Sequence, residues 1–282
     1  MESEKGMKDM KKRSFKAVLL LFVLTTLTIA LGGCSGDKKG DISSQITIGI
    51  PQDLEDSLDP HKMVTAGTRE VLFNIFEGLV KVTSDGDFVP AVASSYEETE
   101  GGKVYTFTLR DNVKFHDGST VTAEDVKFSL DKCADTSAGE PLVAAFSNID
   151  SVNILDDKTV QVVLKEADTE FLAYMTTAII PASNADPDTN PIGTGPYKFV
   201  SRSPQENFVM ERFDDYWGEP AYIKDVTLKI CANADTIVMD LEGGSIDMFA
   251  RVTSTQAAEL SDNFNVLEGT MNLVQALYLN NA

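Results

Sequence analysis

The sequence predicts an α/β fold, a mixed sheet carrying an inserted antiparallel subdomain. Three observations carry this. Residues 77–185 read as successive hairpins, which pair antiparallel. Residues 186–282 alternate strand and helix patterns, including one strand–helix–strand run of the parallel type. Residues 45–76 supply a first strand and helix of the same kind. The α/β core is therefore expected to be discontinuous, from 45–76 and 186–282, with 77–185 inserted.

The elements follow in order. Gln45–Ile50 alternates polar and apolar residues and is the first strand. Val71, Leu72, Ile75, Phe76 and Leu79 recur at helical spacing, which predicts a helix over Thr68–Leu79. Ser84-Asp85-Gly86-Asp87 is a hairpin turn, and Gly101-Gly102 joins Tyr96–Thr99 to a strand at Val104. In Val104–Leu109 the residues Tyr105, Phe107 and Leu109 form one face. Asp117-Gly118 is a turn, and Thr122 with Asp125 makes an approximate capping box that opens a helix at Ala123. Ile149–Leu155 and Thr159–Leu164 flank the turn Asp156-Asp157-Lys158. Thr169–Thr176 reads as a short helix, and 181–196 as a long connection. Lys198–Ser201, Asn207–Arg212 and Val226–Ile230 are strands. A helix over Ala232–Leu241, a turn at Gly243-Gly244 and a strand at Ile246–Met248 complete a βαβ unit. Ser254–Leu260 is a helix, and Asn265–Leu267 and Ala276–Leu279 are short strands.

Composition narrows the function classes. The formal net charge is −20. Such a surface repels phosphate backbones, so nucleic acid is excluded as a partner. The amino terminus is a targeting segment, residues 1–33. Lys5, Lys8, Lys11, Lys12, Arg13 and Lys16 form a basic n-region. Ala17–Leu31 is apolar apart from threonines and too short for a comfortable membrane span. The run ends in Leu31-Gly32-Gly33-Cys34, which resembles a bacterial lipobox. That resemblance implies a lipid anchor on Cys34 and an extracytoplasmic location. Residues 34–44 then form a flexible polar tether.

No catalytic constellation emerges. There is no G-x-S-x-G nucleophile elbow, no phosphate-cradling G-x-x-x-x-G-K-[ST] and no G-x-G-x-x-G. Gly193-Thr194-Gly195-Pro196 is read as a structural turn, because Pro196 lacks an N–H. The two histidines, His61 and His116, are expected to be exposed in turns. No cluster has metal-ligand spacing, and no cofactor is expected. Cys133 and Cys231 fit either a disulfide or two isolated buried thiols. Trp217 is read as a packing residue.

Seven blocks in order resemble the extracytoplasmic solute-binding proteins of peptide- and nickel-type ABC importers, solute-binding protein family 5. They are Ser57-Leu58-Asp59-Pro60-His61, Ile75-Phe76-Glu77-Gly78-Leu79-Val80, Pro90-Ala91-Val92-Ala93 with Ser94-Ser95-Tyr96, and the stretch Tyr105–Leu130. Gly193–Tyr197, Asp215-Tyr216-Trp217 and Gly244-Ser245-Ile246-Asp247 complete the set.

The resemblance implies a type II periplasmic-binding-protein-like lobe I with an inserted antiparallel subdomain. The chain stops where members enter the first hinge, so the second lobe is expected to be absent. It implies no enzyme activity. Instead the chain captures a peptide or other small solute in a cleft that closes by hinge motion, and delivers it to an ABC permease driven by separate ATPase subunits. The ligand-facing extended segment falls on Val64-Thr65-Ala66, with main-chain hydrogen bonds to a peptide. A strand exit facing the cleft falls on Phe249-Ala250-Arg251, where Arg251 is either a partner for a ligand carboxylate or a solvated charge. Gln275 is a further candidate near the hinge. The alternative readings are a nickel–chelate binder of the same family, a non-functional truncated remnant and a surface-anchored hydrolase.

Overall fold

A computed structural model describes residues 44–268, apart from 55, 56, 138, 232, 251 and 261. The predicted leader, Cys34 and the tether up to residue 43 lie outside the described residues, as do Arg251, Gln275 and the strand predicted at Ala276–Leu279.

A five-stranded mixed sheet has the order β11-β1-β10-β9-β8. Its members are β1 (Gln45–Ile50), β8 (Tyr197–Ser203), β9 (Asn207–Arg212), β10 (Asp225–Ile230) and β11 (Met248–Phe249). β1 pairs parallel with both β10 and β11, and β9 pairs antiparallel with β10 and β8. The expected βαβ unit is therefore a crossover rather than a neighbouring pair. Helix α3 (Ala234–Glu242) carries the chain from β10 to β11 across β1, which sits between them. Asp247 locks this edge, its N–H donating to the Thr47 carbonyl at 2.7 Å and its carboxylate accepting from the Thr47 N–H at 2.7 Å.

A separate four-stranded antiparallel sheet has the order β4-β5-β7-β6. It comprises β4 (Ala93–Thr99), β5 (Val104–Leu109), β6 (Ile149–Asp156) and β7 (Thr159–Leu164). β5 and β7 each bury alternate residues, Tyr105, Phe107 and Leu109 against Val160, Val162 and Leu164. The tight turn before β5 uses positive φ at Glu100, Gly101 and Gly102. Gly102 is also forced by space, since a Cβ there would lie 2.7 Å from the Thr169 backbone nitrogen. Helix α2 (Ala123–Ala134) covers this sheet, presenting Val126, Leu130 and Cys133. Its capping box is complete: Thr122 Oγ1 accepts from the Asp125 N–H, and Asp125 accepts from the Thr122 N–H. Such a cap stabilises a helix by about 1 kcal/mol. A small hairpin joins β2 (Val80–Val82) to β3 (Phe88–Pro90).

The helix predicted over Thr68–Leu79 is shorter and starts earlier. Helix α1 is Ala66–Leu72. Beyond it the backbone has other partners: the Asn74 carbonyl accepts from the Tyr197 N–H, and the Ile75 carbonyl from the Gly195 N–H. A helix there would have to surrender both bonds. Close approach explains the Gly-Thr-Gly turn as well, because a Cβ on Gly193 would sit 2.1 Å from the Ile75 carbonyl oxygen. The short helix predicted at Thr169–Thr176 is a 3-10 segment over Phe171–Thr176. Asn265–Leu267 is not a strand; Leu267 is 90% exposed, with no face to bury.

Residues 75–80 run between two hydrophobic cores. Ile75 and Phe76 belong to the core of the mixed sheet, while Leu79 and Val80 belong to that of the antiparallel sheet. Glu77 lies between them. Its carboxylate accepts from the Trp217 indole N–H (2.6 Å), the Tyr216 hydroxyl (2.8 Å) and the Thr194 hydroxyl (3.3 Å). Trp217 is thus a hydrogen-bond donor as well as a packing residue, and the Arg110 guanidinium stacks 4.4 Å from its ring centroid. Burial pushes the Glu77 carboxyl up, and the three donors only partly offset that. The two cysteines are isolated buried thiols in different cores, Cys133 in the antiparallel one and Cys231 in a small third cluster with Ile237, Leu241, Ile246 and Leu260. Burial raises the Cys133 thiol to about 12.

Replacing Glu77 with Ala leaves two aromatic donors without an acceptor, so stability should fall by about 2–5 kcal/mol. Glu77→Gln should cost clearly less, because its amide oxygen still accepts from Trp217 while the Tyr216 hydroxyl turns to accept from the amide. Urea denaturation of the two variants checks this; equal losses would show that the charge matters rather than the donors.

Candidate functional site

The three parallel strands run the same way, so β1, β10 and β11 end at one edge of the sheet, at Ile50, Ile230 and Phe249. In open α/β sheets ligands bind outside such carboxyl ends. The chain leaves this edge and reaches α1 through a loop whose described residues are 51–54 and 57–65. Three acidic side chains pin that loop.

Asp53 is 5% exposed. It accepts from the Leu54 N–H (2.7 Å) and the Gln205 N–H (2.9 Å) and pairs with Arg202 at 3.2 Å. The Arg202 guanidinium also donates to the Leu54 carbonyl. Burial alone would raise the Asp53 carboxyl, but these donors outweigh it and hold it below the usual range. Asp188 accepts from the Ser57 hydroxyl (2.8 Å) and the Leu58 N–H (2.9 Å), tying the loop to the long connection before β8. Asp59 is 1% exposed, accepts from the His61 N–H at 3.0 Å and pairs with Lys132 of α2 at 2.9 Å. Its carboxyl is also lowered, the donors again overcoming burial.

The loop delivers Val64-Thr65-Ala66 to the start of α1. Thr65 is the extended N-cap, its hydroxyl accepting from the Thr68 N–H at 3.4 Å. Thr68, Val71 and Leu72 face inward. The opposite face carries Ala66, Arg69, Glu70 and Phe73, which with Val64 line an open concavity of about 360 Å³. Val64 is 80% exposed and Phe73 69%. Two large apolar side chains thus stand in solvent at one spot, beside a cation and an anion. The chemistry available there is apolar contact plus polar recognition, the mixture of a small-molecule or peptide site.

The sequence-predicted residues fall in two places. Val64 and Ala66 line this concavity, with Thr65 between them as the N-cap of α1. Phe249 is half-buried, its ring against Gly49 and the small third cluster, where a Cβ on Gly49 would meet it at 2.8 Å. Ala250 is exposed where β11 leaves the sheet edge. Arg69 and Phe73 escape the motif reading, although Phe73 carries a signal: it is a large apolar residue off the inward face set by Val71, Leu72, Ile75 and Phe76. Among the described residues no group of three or more His, Cys, Asp and Glu could hold a metal ion.

The histidines are not exposed turn residues. His61 is buried, and its Nε2–H donates to the Ala178 carbonyl at 2.8 Å. His116 Nε2–H donates to the Gly195 carbonyl at 3.0 Å, Nδ1 accepts from the Gly193 N–H, and the ring meets Phe213 edge-on. Each closes two loops onto one another, which a Pro-His or His-Asp-Gly sequence does not reveal. Burial, aided by the Lys198 charge, pushes His116 down to about 4, and burial with Lys132 lowers His61. Both are neutral in the folded chain. The contribution of His116 to stability is complete above the unfolded value near 6.5 and is lost as pH falls from there towards 4, and that of His61 is likewise lost below the unfolded value. Thermal melts across that window should fall with acid, and His116→Gln should flatten the slope; an unchanged slope would place the acid sensitivity elsewhere.

Known proteins with this architecture define the site's context. The family model for bacterial extracellular solute-binding proteins, family 5, middle region, matches residues 87–282. The oligopeptide-binding protein AppA of Bacillus subtilis is 29% identical over 287 residues, covering 91% of this chain and 52% of AppA. The nickel-binding periplasmic protein of Escherichia coli K12 is 30% identical, covering 68% of this chain and 38% of its own length. Among solved structures, the binding protein AgaA from A. tumefaciens R10 in complex with agropinic acid superposes with a TM-score of 0.72 at 30% identity, covering 78% of this chain and 46% of AgaA. DppA from Helicobacter pylori in complex with the peptide STSA gives 0.70 at 26% identity, covering 77% and 48%. The chain spans about half the length of the curated relatives it matches, 52% of AppA. Its mixed sheet and antiparallel sheet are those of the type II periplasmic binding proteins. The chain belongs to family 5 of the bacterial extracellular solute-binding proteins.

Proposed function

We propose that this chain is the ligand-contacting portion of an extracytoplasmic receptor that captures a peptide and passes it to the permease of an ABC importer. The observation that carries the reading is the exposed apolar concavity at Val64, Ala66 and Phe73, at the loop leaving the carboxyl edge of the parallel strands. An extended peptide laid along Val64–Ala66 would bond to the main chain and place an apolar side chain against Val64 and Phe73. Phe249, Ala250, Arg251 and Gln275 would add further contacts. The reading assigns no catalysis to the chain; ATP hydrolysis belongs to separate subunits.

In this reading lobe I is built from 45–76 and 186–282, with 77–185 as its antiparallel subdomain. Residues 1–33 are a lipoprotein leader, Cys34 carries the lipid, and 34–44 tether the receptor to the membrane. No helix among the described residues is long and apolar enough to cross a membrane. A second reading, a nickel–chelate receptor, is favoured by the similarity to the nickel-binding periplasmic protein.

Calorimetry with a pool of tri- to pentapeptides and, separately, with nickel–histidine tests the choice. Saturable peptide heat is expected, with Val64→Asp weakening it at least about tenfold, the equivalent of roughly 1.4 kcal/mol. Heat from nickel–histidine alone would replace the first reading with the second. For the anchor, Cys34→Ser should move the chain from the membrane to the soluble fraction after cell fractionation.

A further inference from the structure

Of the three anchors of the loop, Asp59 is the one nearest in sequence to the candidate segment Val64–Ala66. Asp59 uses every acceptor it has. Its main-chain carbonyl accepts from the Lys62 and Met63 N–H groups at 2.9 and 3.1 Å, closing a single turn. One carboxylate oxygen caps that turn at the His61 N–H, and the other meets Lys132 Nζ at 2.9 Å. Lys132 stands in the last turn of α2, which packs on the antiparallel sheet. The turn therefore fixes where Thr65 begins α1 by reference to a different part of the fold.

His61 completes the arrangement. Because Nε2–H donates to Ala178, Nδ1 is the bare nitrogen. It is buried, has no hydrogen-bond partner among the described residues and lies 3.9 Å from the Asp59 carboxylate. Among the described residues, the charged and titratable groups around it are Asp59 and Lys62 in its own turn, the latter 3.7 Å from Asp59, and Lys132 on α2. The Cys133 thiol senses the Asp59 charge, and Asp186 senses Lys62. Two cations already share one carboxylate. A proton on Nδ1 would add a third and draw the carboxylate away from the N–H it caps.

We propose that Asp59 is a positioning residue for the ligand-contacting segment Val64–Ala66, holding it through the Lys132 ion pair and the turn it caps, and that this hold requires an uncharged His61. The proposal rests on the reading that Val64–Ala66 contacts ligand. It makes capture and release sensitive to acid at a place the ligand does not touch.

Hydrogen exchange by mass spectrometry on the full chain tests it, with rates corrected for the intrinsic effect of pH. Lys132→Met should speed exchange in residues 61–69 about tenfold while the β6–β7 hairpin is unchanged. Lys132→Arg, which keeps the charge, should restore protection. In the wild type the same local loss should appear as pH falls below the unfolded histidine value of about 6.5, and His61→Gln should abolish it. A chain-wide change, no change in 61–69, no rescue by Arg or a pH response that survives His61→Gln would overturn the proposal. Trialanine titrations separate it from the functional reading. Equal affinity in the wild type and Lys132→Met overturns the positioning role. Local exchange that follows the pattern in a wild type that binds no trialanine upholds the hold and sinks the ligand reading.

Discussion

Everything in this fold depends on how residues 74–80 are held. The stretch passes from the core of the mixed sheet to that of the antiparallel sheet within a few residues. Four of its main-chain carbonyls are taken by distant stretches: those of Asn74 and Ile75 by the Gly195–Tyr197 stretch, that of Glu77 by Ile179 and that of Gly78 by Val92. Gly78, Gly193 and Gly195 leave no room for a side chain where these backbones meet. A buried carboxylate then closes the seam. Glu77 costs desolvation, and its three donors come from two distant stretches of the sequence. Removing one partner strands the others, so such a hub specifies a single arrangement of the chain more than it adds net stability.

The seam also accounts for α1. A helix continued to Leu79 would satisfy its own carbonyls, but the bonds to Gly195 and Tyr197 would be lost. Tertiary pairing wins over local propensity because the competing bonds are equivalent in kind and also bring two cores together. Once the helix is confined to Ala66–Leu72, its inward face is fixed by Thr68, Val71 and Leu72. Phe73 is then left on the solvent side beside Val64, although nothing in its own chemistry demands exposure.

Local physics was readable from the sequence. Alternation gave β5 and β7, the turn glycines gave the hairpins, and Thr122 with Asp125 gave the start of α2. Each depends on residues close in sequence. Long-range pairing was not readable. That β1 lies between β10 and β11 follows from which edges are free after folding, and β10, α3 and β11 carry no trace of it. The histidines were misread for the same reason: a His beside Pro or Asp-Gly looks like a surface turn, and only the carbonyls of Ala178 and Gly195, far away in sequence, make them structural. Of the candidate site, the segment Val64–Ala66 was visible through motif spacing. Of the anchors that place it, Asp53 and Asp188 were hidden among 44 acidic residues, since composition gives no reason to choose them, while Asp59 stood in a family block that says nothing of its partner Lys132.

Those anchors separate two uses of negative charge. Most carboxylates here face water, where an ion pair is worth little. Asp53 and Asp59 are buried, each with a cation and backbone N–H donors, and each is lowered despite its burial. Breaking such a pair leaves an uncompensated buried charge. A loop at the edge of a parallel sheet would otherwise be among the least stable parts of the molecule. Bolting it at Asp53, Asp188 and Asp59 to three separate parts of the fold lets Val64 and Phe73 stand exposed without the segment collapsing onto its own apolar side chains. A binding surface needs that combination, because apolar groups must be held out in water until a ligand covers them.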